Sequence, residues 1–369
     1  MINIKAALWK DNKMWCITYE DNFLYCVEKG NNVMKEITML SDEDNMKVDY
    51  VDILQYGKCF VFIPSLSKDI LILNTEDWTK RYIKIQNVEC NVGNGKTLFF
   101  TGKIQDDYLF LFGNSYAGIV KVDLLTGENK IINDWARQLK GKYNDKDDGC
   151  FHMQYIQLDN FVYIPFMNLN AVLRLNVITD DVEICRVGDD RQRYIAIESD
   201  GENLWLIPRD VQVGEIVCWN LETGAVQQFK EYPLELVKVK HAFYRTEMIE
   251  NNLLVFSHMG NCNIAVDTKT GKMRKLKDVF DVLDENGCRY PFVWKYKNHI
   301  VVLRNAEIIF WDYFSDDIEK YSFVFGERCI TRYEDRQIRQ YFCDDEQMII
   351  RGESEKKGLS EYIKFIKIL

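Results

Sequence analysis

Long apolar runs, histidine and positive charge are all scarce in this chain of 369 residues, and each shortage excludes a class of protein. No apolar run approaches the ~18–20 residues that a membrane-spanning helix needs, so we expect no transmembrane segment. The start of the chain, MINIKAALWKDNKMW, has no apolar core of the signal-peptide kind. We therefore expect no export signal.

The charge balance and the cysteines limit the possible partners and the cellular compartment. A formal net charge of −10 argues against general nucleic-acid binding, because DNA and RNA are bound through clustered positive charge. The 11 cysteines are scattered through apolar stretches, and no two form a CxxC pair. Without an export signal they indicate reduced thiols without disulfides, in a cytoplasmic protein.

Signatures of catalysis, cofactor binding and metal binding are missing as well. The sequence contains no GxSxG, no P-loop and no GxGxxG, and its four histidines are not paired at metal-ligand spacing. Asp145–Gly149 (DKDDG) lacks the spacing of a calcium loop. Cys150 and His152 would point the same way on a strand and could form a thiolate pair, or simply begin that strand. We predict no cofactor and no metal.

A repeat, by contrast, runs through the whole chain. Each unit has an apolar run ending in a polar anchor residue, and a tight turn follows three and four residues later. The anchors are 46, 49, 53, 44, 47 and 45 residues apart. They are Glu28, Asn74, Asp123, Asn176, Asn220, Asp267 and Asp312. The turns are rich in Asn, Asp and Gly, which tolerate the left-handed backbone of tight hairpins.

Within a unit we predict four short strands. In the fourth unit they are His152–Leu158, Phe161–Pro165, Ala171–Asn176 and Val182–Val187. Four antiparallel strands in about 45 residues, repeated many times, are typical of a β-propeller blade. We predict one all-β propeller domain over residues 1–369, with about eight blades and seven as the alternative.

The two ends of the chain bear on how many blades there are. An eighth unit, Arg336–Leu369, has two apolar runs and a last strand at Tyr362–Leu369. The first unit is complete and has no spare strand to donate, so we expect the ends to meet by packing alone. The longest insertion is Trp135–Gly149, and helix is expected only over Trp135–Tyr143.

The phrases IVKVDLLTGENK, IVCWNLETGAVQ and IAVDTKTGKMRK resemble the repeats of quinoprotein-type bacterial propellers. That family follows the Thr-Gly turn with a tryptophan that docks neighbouring blades, and this tryptophan is missing after Gly127, Gly224 and Gly271. The double glycine of kelch repeats is also absent. The resemblance implies a fold and neither a quinone cofactor nor an activity, since such repeats serve enzymes and scaffolds alike.

In propeller geometry, the loops after the second and fourth strands of each blade share one face, the top. Basic and aromatic residues recur together where the first strands begin at that face. Arginine suits carboxylates and phosphates, and tyrosine adds a stacking surface. The predicted ligand-binding residues are Arg193, Tyr194, Tyr244, Arg245, Arg289, Tyr290, Arg339, Arg209, His152 and His258. The alternative is that the arginines pair with acids such as Glu198 and Glu247.

Tyr194, Tyr244 and Tyr290 lie nine, eight and nine residues before the second strands of their units. These nearly equal offsets predict that Arg193–Tyr194, Tyr244–Arg245 and Arg289–Tyr290 converge at one height of the channel. A one-residue slip in register would send a side chain to the other blade face.

Two functions fit this pattern. The first is a monomeric cytoplasmic binding module whose channel mouth takes an anionic or aromatic ligand, a peptide or another protein, but neither nucleic acid nor membrane. The second is a propeller enzyme, such as a lyase, hydrolase or tailoring enzyme, with its active site at the same mouth. Some bacterial propeller lyases use a histidine, a carboxylate and a divalent metal there. Convergence of His152, His241 and His258 on an acid would favour the enzyme.

Overall fold

The structure is a computed structural model that describes residues 2–19, 21–41, 50–65, 69–86, 97–114, 118–139, 150–277, 292–304, 306–332 and 334. The chain divides into two compact units. One comprises Met1–Val48 with Ser322–Leu369, and the other comprises Asp49–Tyr321. That residues 1–369 form a single domain remains a prediction.

The larger unit contains six four-stranded sheets, each an antiparallel meander of four consecutive strands. We number them as blades 2 to 7 in chain order. The strands are β5(Tyr50–Tyr56), β6(Cys59–Pro64), β7(Asp69–Asn74), β8(Lys80–Lys84), β9(Phe99–Gln105), β10(Tyr108–Gly113), β11(Ile119–Asp123), β12(Asn129–Ile132), β13(Ile156–Leu158), β14(Phe161–Pro165), β15(Ala171–Asn176), β16(Val182–Arg186), β17(Tyr194–Ser199), β18(Asn203–Pro208), β19(Ile216–Asn220), β20(Val226–Phe229), β21(Phe243–Ile249), β22(Asn252–Ser257), β23(Ile264–Asp267), β24(Met273–Lys275), β25(Phe292–Tyr296), β26(His299–Arg304), β27(Glu307–Asp312) and β28(Ile318–Ser322).

The core of this unit lies between successive blades. One cluster joins Trp205 and Ile207 of blade 5 to Leu253 and Val255 of blade 6. Equivalent clusters join blades 2 and 3, 3 and 4, 4 and 5, and 6 and 7. The middle strands are therefore apolar on both faces because each sheet is packed on two sides, which is the environment that continuous apolar strands indicate.

The anchor residues hold the turns between third and fourth strands. The side chain of Asn220 accepts hydrogen bonds from the backbone N–H and the hydroxyl of Thr223, and Asp267 does the same with Thr270. Four residues after every anchor in blades 2 to 7 the backbone has a positive φ. These positions are Trp78, Gly127, Asp180, Gly224, Gly271 and Asp316.

Replacing Gly224 with valine should destabilise the larger unit by about 1–2 kcal/mol, the usual cost of a left-handed backbone at a residue with a side chain. Its φ is +72°, and a Cβ there would meet no atom within 4 Å, so backbone strain alone is tested. Urea denaturation measures the loss. Ala225→Val, one residue later on the same turn, is the control and should change stability little.

The smaller unit is built on one meander, blade 1. Its strands are β1(Ile4–Lys10), β2(Lys13–Thr18), β3(Phe23–Glu28) and β4(Val33–Met39). A fifth strand, β29(Val324–Phe325), pairs parallel with β4. Arg332 then binds Asp21, Tyr25 and Glu36 of the blade. Main-chain hydrogen bonds thus join residues near the two chain ends, so the expectation that the ends meet by packing alone is wrong.

The described residues therefore form an all-β propeller with seven blades, the alternative given above. The predicted eighth unit, Arg336–Leu369, lies outside the described residues. Of the helix expected at Trp135–Tyr143, a 3-10 helix covers Asp134–Leu139, and a further short helix at 327–332 was not expected. No helix in the described ranges could span a bilayer. The eight described cysteines are free thiols, and six of them are buried.

Candidate functional site

A repeated β-bulge shapes the top end of the first strands in the larger unit. In β5, β9, β17 and β21 the pairing with the second strand skips one residue. The extra residues are Val51, Phe100, Ile195 and Tyr244. The residues that follow them occupy equivalent positions in their blades, namely Asp52, Thr101, Ala196 and Arg245. Bulges commonly redirect side chains beside binding sites.

Side chains from four of the six blades are linked through Tyr244, His152 and Arg245. The ring of His152 in blade 4 lies 4.7 Å from the Tyr244 ring, edge to face, and the ring of His258 lies 4.9 Å away. Phe100 of blade 3 packs against His152 at 5.5 Å. Arg245 acts electrostatically on Asp52 of blade 2. First strands of non-neighbouring blades thus surround one axis, and this end of it is the channel mouth.

A segment of blade 4 reaches blade 6 at this point. The first strand predicted at His152–Leu158 begins only at Ile156, and residues 152–155 are not part of the sheet. The Gln154 amide donates to the backbone oxygen and hydroxyl of Thr246 in blade 6 and accepts from the Thr246 N–H. This side chain therefore replaces a strand partner, and it holds the two blades together without direct pairing.

Positive groups dominate the mouth. Arg245 approaches the Met153 sulfur at 3.7 Å, and the Tyr244 hydroxyl lies 2.9 Å from the same sulfur. The buried Arg209 donates to the Met167 oxygen at 3.1 Å, and its other terminal nitrogen lies 3.3 Å from His241 Nε2. In a chain of net charge −10, this is a local concentration of cations.

The burial and the positive charges at the mouth change the pKa of His152 most clearly. Burial, and after it the nearby Arg245, His258, His241 and Arg209, together lower its pKa to about 3. Burial also lowers the pKa of His258. Both rings are therefore neutral near pH 7. A neutral imidazole can still donate one hydrogen bond, which makes it a suitable partner for an anion.

Three polar atoms at the mouth are buried and have no hydrogen-bond partner among the described residues. They are Nδ1 of His152, Nδ1 of His258 and Nε of Arg245. Leaving a buried donor or acceptor unbonded costs about 1–3 kcal/mol each, so three together need an explanation. A bound anion would supply it with each histidine protonated at Nδ1, because both Nδ1 atoms and Nε of Arg245 then donate.

Asp52 is a carboxylate at the position of blade 2 that corresponds to Arg245 in blade 6. It accepts a 2.7 Å hydrogen bond from the Thr101 hydroxyl. Burial raises its pKa to about 6, although the Thr101 bond and Arg245 act in the opposite direction. Within the described residues, Arg245 forms no ion pair with Asp52, Glu247 or any other carboxylate. For Arg245, therefore, the ion pairs with Glu198 or Glu247 that the alternative predicts are not found.

Two residues further along their strands, Glu198 and Glu247 form a second layer. Burial raises the pKa of Glu198 to about 7. For Glu247, burial and the neighbouring Glu198 raise the pKa to about 8, against the opposing effects of Arg245 and Lys295. Near pH 7, Glu247 is therefore mostly protonated, and Glu198 is about half protonated.

The predicted equivalence of the arginine–tyrosine pairs is wrong in register. Tyr194 pairs with Pro208, and the residue at that position in blade 6 is Phe243, not Tyr244. Tyr194 is consequently buried in the blade core, where its hydroxyl donates to the Val187 oxygen. The guanidinium of Arg193 donates to the Asp190 and Gln192 oxygens.

The other predicted site residues divide into two groups. His152, Arg209, Tyr244, Arg245 and His258 come together at the mouth, and their ligand-binding roles stay predictions. Arg289, Tyr290 and Arg339 lie outside the described residues. Sequence reasoning missed Asp52, Thr101 and Gln154. The first two had a usable signal, because Asp52, Thr101 and Arg245 each lie four residues before the end of their strands.

The described residues contain no set of three or more His, Cys, Asp or Glu side chains placed to hold a metal ion. His152 and His258 meet at Tyr244 rather than at a carboxylate. The convergence of histidines on an acid, which would have favoured a metal-dependent enzyme, is therefore not found among the described residues.

No protein-family model and no curated protein matches the sequence. Solved structures do resemble it. A catalytically inactive virginiamycin B lyase from Staphylococcus aureus, solved with quinupristin, has a TM-score of 0.55 and 12% identity over 88% of this chain and 96% of that one. BamB from Moraxella catarrhalis has a TM-score of 0.54 and 11% identity over 87% and 88%. Kluyveromyces lactis Hsv2 has a TM-score of 0.52 and 9% identity over 87% and 98%.

These likenesses confirm the β-propeller fold and, at the level of fold, the resemblance to bacterial propellers drawn from the Thr-Gly turns. The similar proteins have different roles, and identities of this size carry none of them over to this chain.

Proposed function

We propose that the protein is a propeller-type binding module that holds an anionic group at the channel mouth. The observation that carries this proposal is Arg245, whose buried Nε has no partner among the described residues, beside His152 and His258 in the same condition. A guanidinium without an ion pair is costly inside a protein, and a bound carboxylate or phosphate would offset that cost.

Each residue has a distinct role in this proposal. Arg245 supplies the charge, and its planar fork fits a carboxylate or phosphate. His152 and His258 supply neutral donors beside Tyr244, whose ring offers a stacking surface to an aromatic ligand. Arg209 adds positive potential while its terminal nitrogens hold the Met167 oxygen and approach His241.

The composition indicates which partners and which compartment suit the proposed module. A net charge of −10 disfavours nucleic acid and an anionic membrane surface. The free, mostly buried thiols suit a reducing compartment, so we infer a cytoplasmic protein.

Thermal denaturation with anions tests the proposal. Inorganic phosphate, citrate and benzoate would each be titrated, and at least one should raise the melting temperature by about 3–5 °C at a hundred times its dissociation constant. Potassium chloride at matched ionic strength is the control and should have no such effect. Equal responses to all four salts would contradict a specific anion site.

A further inference from the structure

Four aliphatic side chains are exposed on the top loops of blades 5 and 6. Val213 and Val237 are 56% exposed, Met259 is 57% exposed, and Leu234 is fully exposed. They lie in three loops, between β18 and β19, between β20 and β21, and between β22 and β23. We call these four residues the top-loop patch.

Hydrogen bonds hold the three loops together as one surface. The Val237 N–H donates to the Asn261 side chain at 2.8 Å, and the Asn261 amide donates to the Glu235 oxygen at 2.6 Å. Gln212 donates to the Lys238 oxygen at 3.1 Å. Every member of the patch is within three residues of one of these bonds. The patch is therefore a preformed surface, and a partner would not have to order it first.

The patch is continuous with the channel mouth. The Met259 N–H donates to the His241 oxygen at 3.1 Å, and His241 Nε2 lies 3.3 Å from the Arg209 guanidinium. His258, whose ring packs on Tyr244, directly precedes Met259. One ligand could therefore contact the apolar patch and the cations together.

We propose that the top-loop patch and the mouth bind an acidic, apolar peptide segment of a partner protein. Its aliphatic or aromatic side chains cover the patch, and one of its carboxylates reaches Arg245. This proposal rests on the anion site described above and adds the partner class to it. Exposed apolar groups beside a charged pocket are typical of peptide recognition, in which the apolar contacts give affinity and the charge fixes orientation.

The charges around the patch favour a peptide over a lipid surface. Lys238 and Lys240 are exposed here, but so are Glu231 and Glu235. Anionic membranes attract uniformly basic segments, whereas a mixed rim around an apolar centre is the usual anatomy of a protein interface.

The test starts from a phage library of random dodecapeptides selected on the wild-type protein. Selected peptides should be rich in Asp, Glu, Leu and Phe. Their dissociation constants, measured by fluorescence anisotropy, should rise at least about tenfold for the Leu234→Ser/Met259→Ser variant and for Arg245→Gln. The matched control is Leu125→Ser/Ile178→Ser, which removes two other exposed aliphatic side chains, from turns at the opposite ends of blades 3 and 4. It should leave binding within twofold.

Several outcomes would overturn the inference. They are a failure to select peptides, selected peptides that bind the Leu234→Ser/Met259→Ser variant unchanged, and patch-dependent binding to phosphatidylserine vesicles or to a second copy of the chain in place of peptides. Stabilisation by phosphate, citrate or benzoate separates the two proposals. If it persists while peptide binding fails, only the partner class is wrong, whereas loss of both refutes the anion site as well.

Discussion

Replacing Arg245 with glutamine should abolish anion binding at the channel mouth while leaving the folded protein at least as stable. Hydrogen bonds to charged groups contribute about 1.5–3 kcal/mol each, so losing two of them weakens binding by at least about a hundredfold. Stability should not fall, because the described residues give Arg245 no ion pair to lose. Isothermal titration with the most stabilising anion measures the first effect, and thermal denaturation measures the second.

Arg193→Gln is the matched control for this prediction. Arg193 lies near the start of the first strand of blade 5, but its guanidinium binds backbone oxygens of its own loop. The control variant should retain anion binding. If Arg245→Gln instead melts several degrees lower and binds as before, the cluster is structural and the proposed function fails.

The repeat could be predicted from the sequence because its determinants are local. Asn220 or Asp267 caps a turn only three residues away, and the residue after the turn threonine takes the left-handed backbone. Such contacts recur at a fixed spacing, so the fold can be read from a single unit. The contact between the first blade and the segment after the last one could not be predicted in this way, because the pairing of β29 with β4 joins residues about 290 positions apart.

The site was only half predictable, because one residue of register decides which face of a blade a side chain takes. Tyr194 lies nine residues before Asn203, whereas Tyr244 lies eight before Asn252, and both strands have their bulge at the same position. Tyr194 is therefore paired with Pro208, whereas Tyr244 is the extra residue of its bulge. A nearly equal offset does not separate these two positions, and nothing in the spacing of aromatic residues indicates a bulge.

Gln154 illustrates a second limit. The sequence around it continues the strand pattern of its unit, yet its side chain takes the hydrogen-bonding place of a neighbouring strand on Thr246. That choice depends on which residues blade 6 brings to the axis, and such contacts between non-neighbouring blades leave no periodic trace in the sequence.

Replacing both Glu198 and Glu247 with glutamine should stabilise the protein at alkaline pH and change little at pH 5. Burial raises the pKa values to about 7 and about 8 in the folded state, above the ordinary value of 4.5. Their contribution to stability is therefore fully present below about pH 4.5. It is lost as pH rises from there to about 8, because the folded state resists ionisation that the unfolded chain accepts.

At pH 8.5 the double variant should be more stable than the wild type by several kcal/mol, measured by urea denaturation. Asp52 and His152 also titrate in the folded state, but they are present in both proteins and cancel in the comparison. Glu222→Gln, on an exposed turn, is the control and should follow the wild-type profile. Parallel profiles for the wild type and the double variant would contradict this prediction, because they would show that folding does not raise the pKa values of these two carboxyl groups.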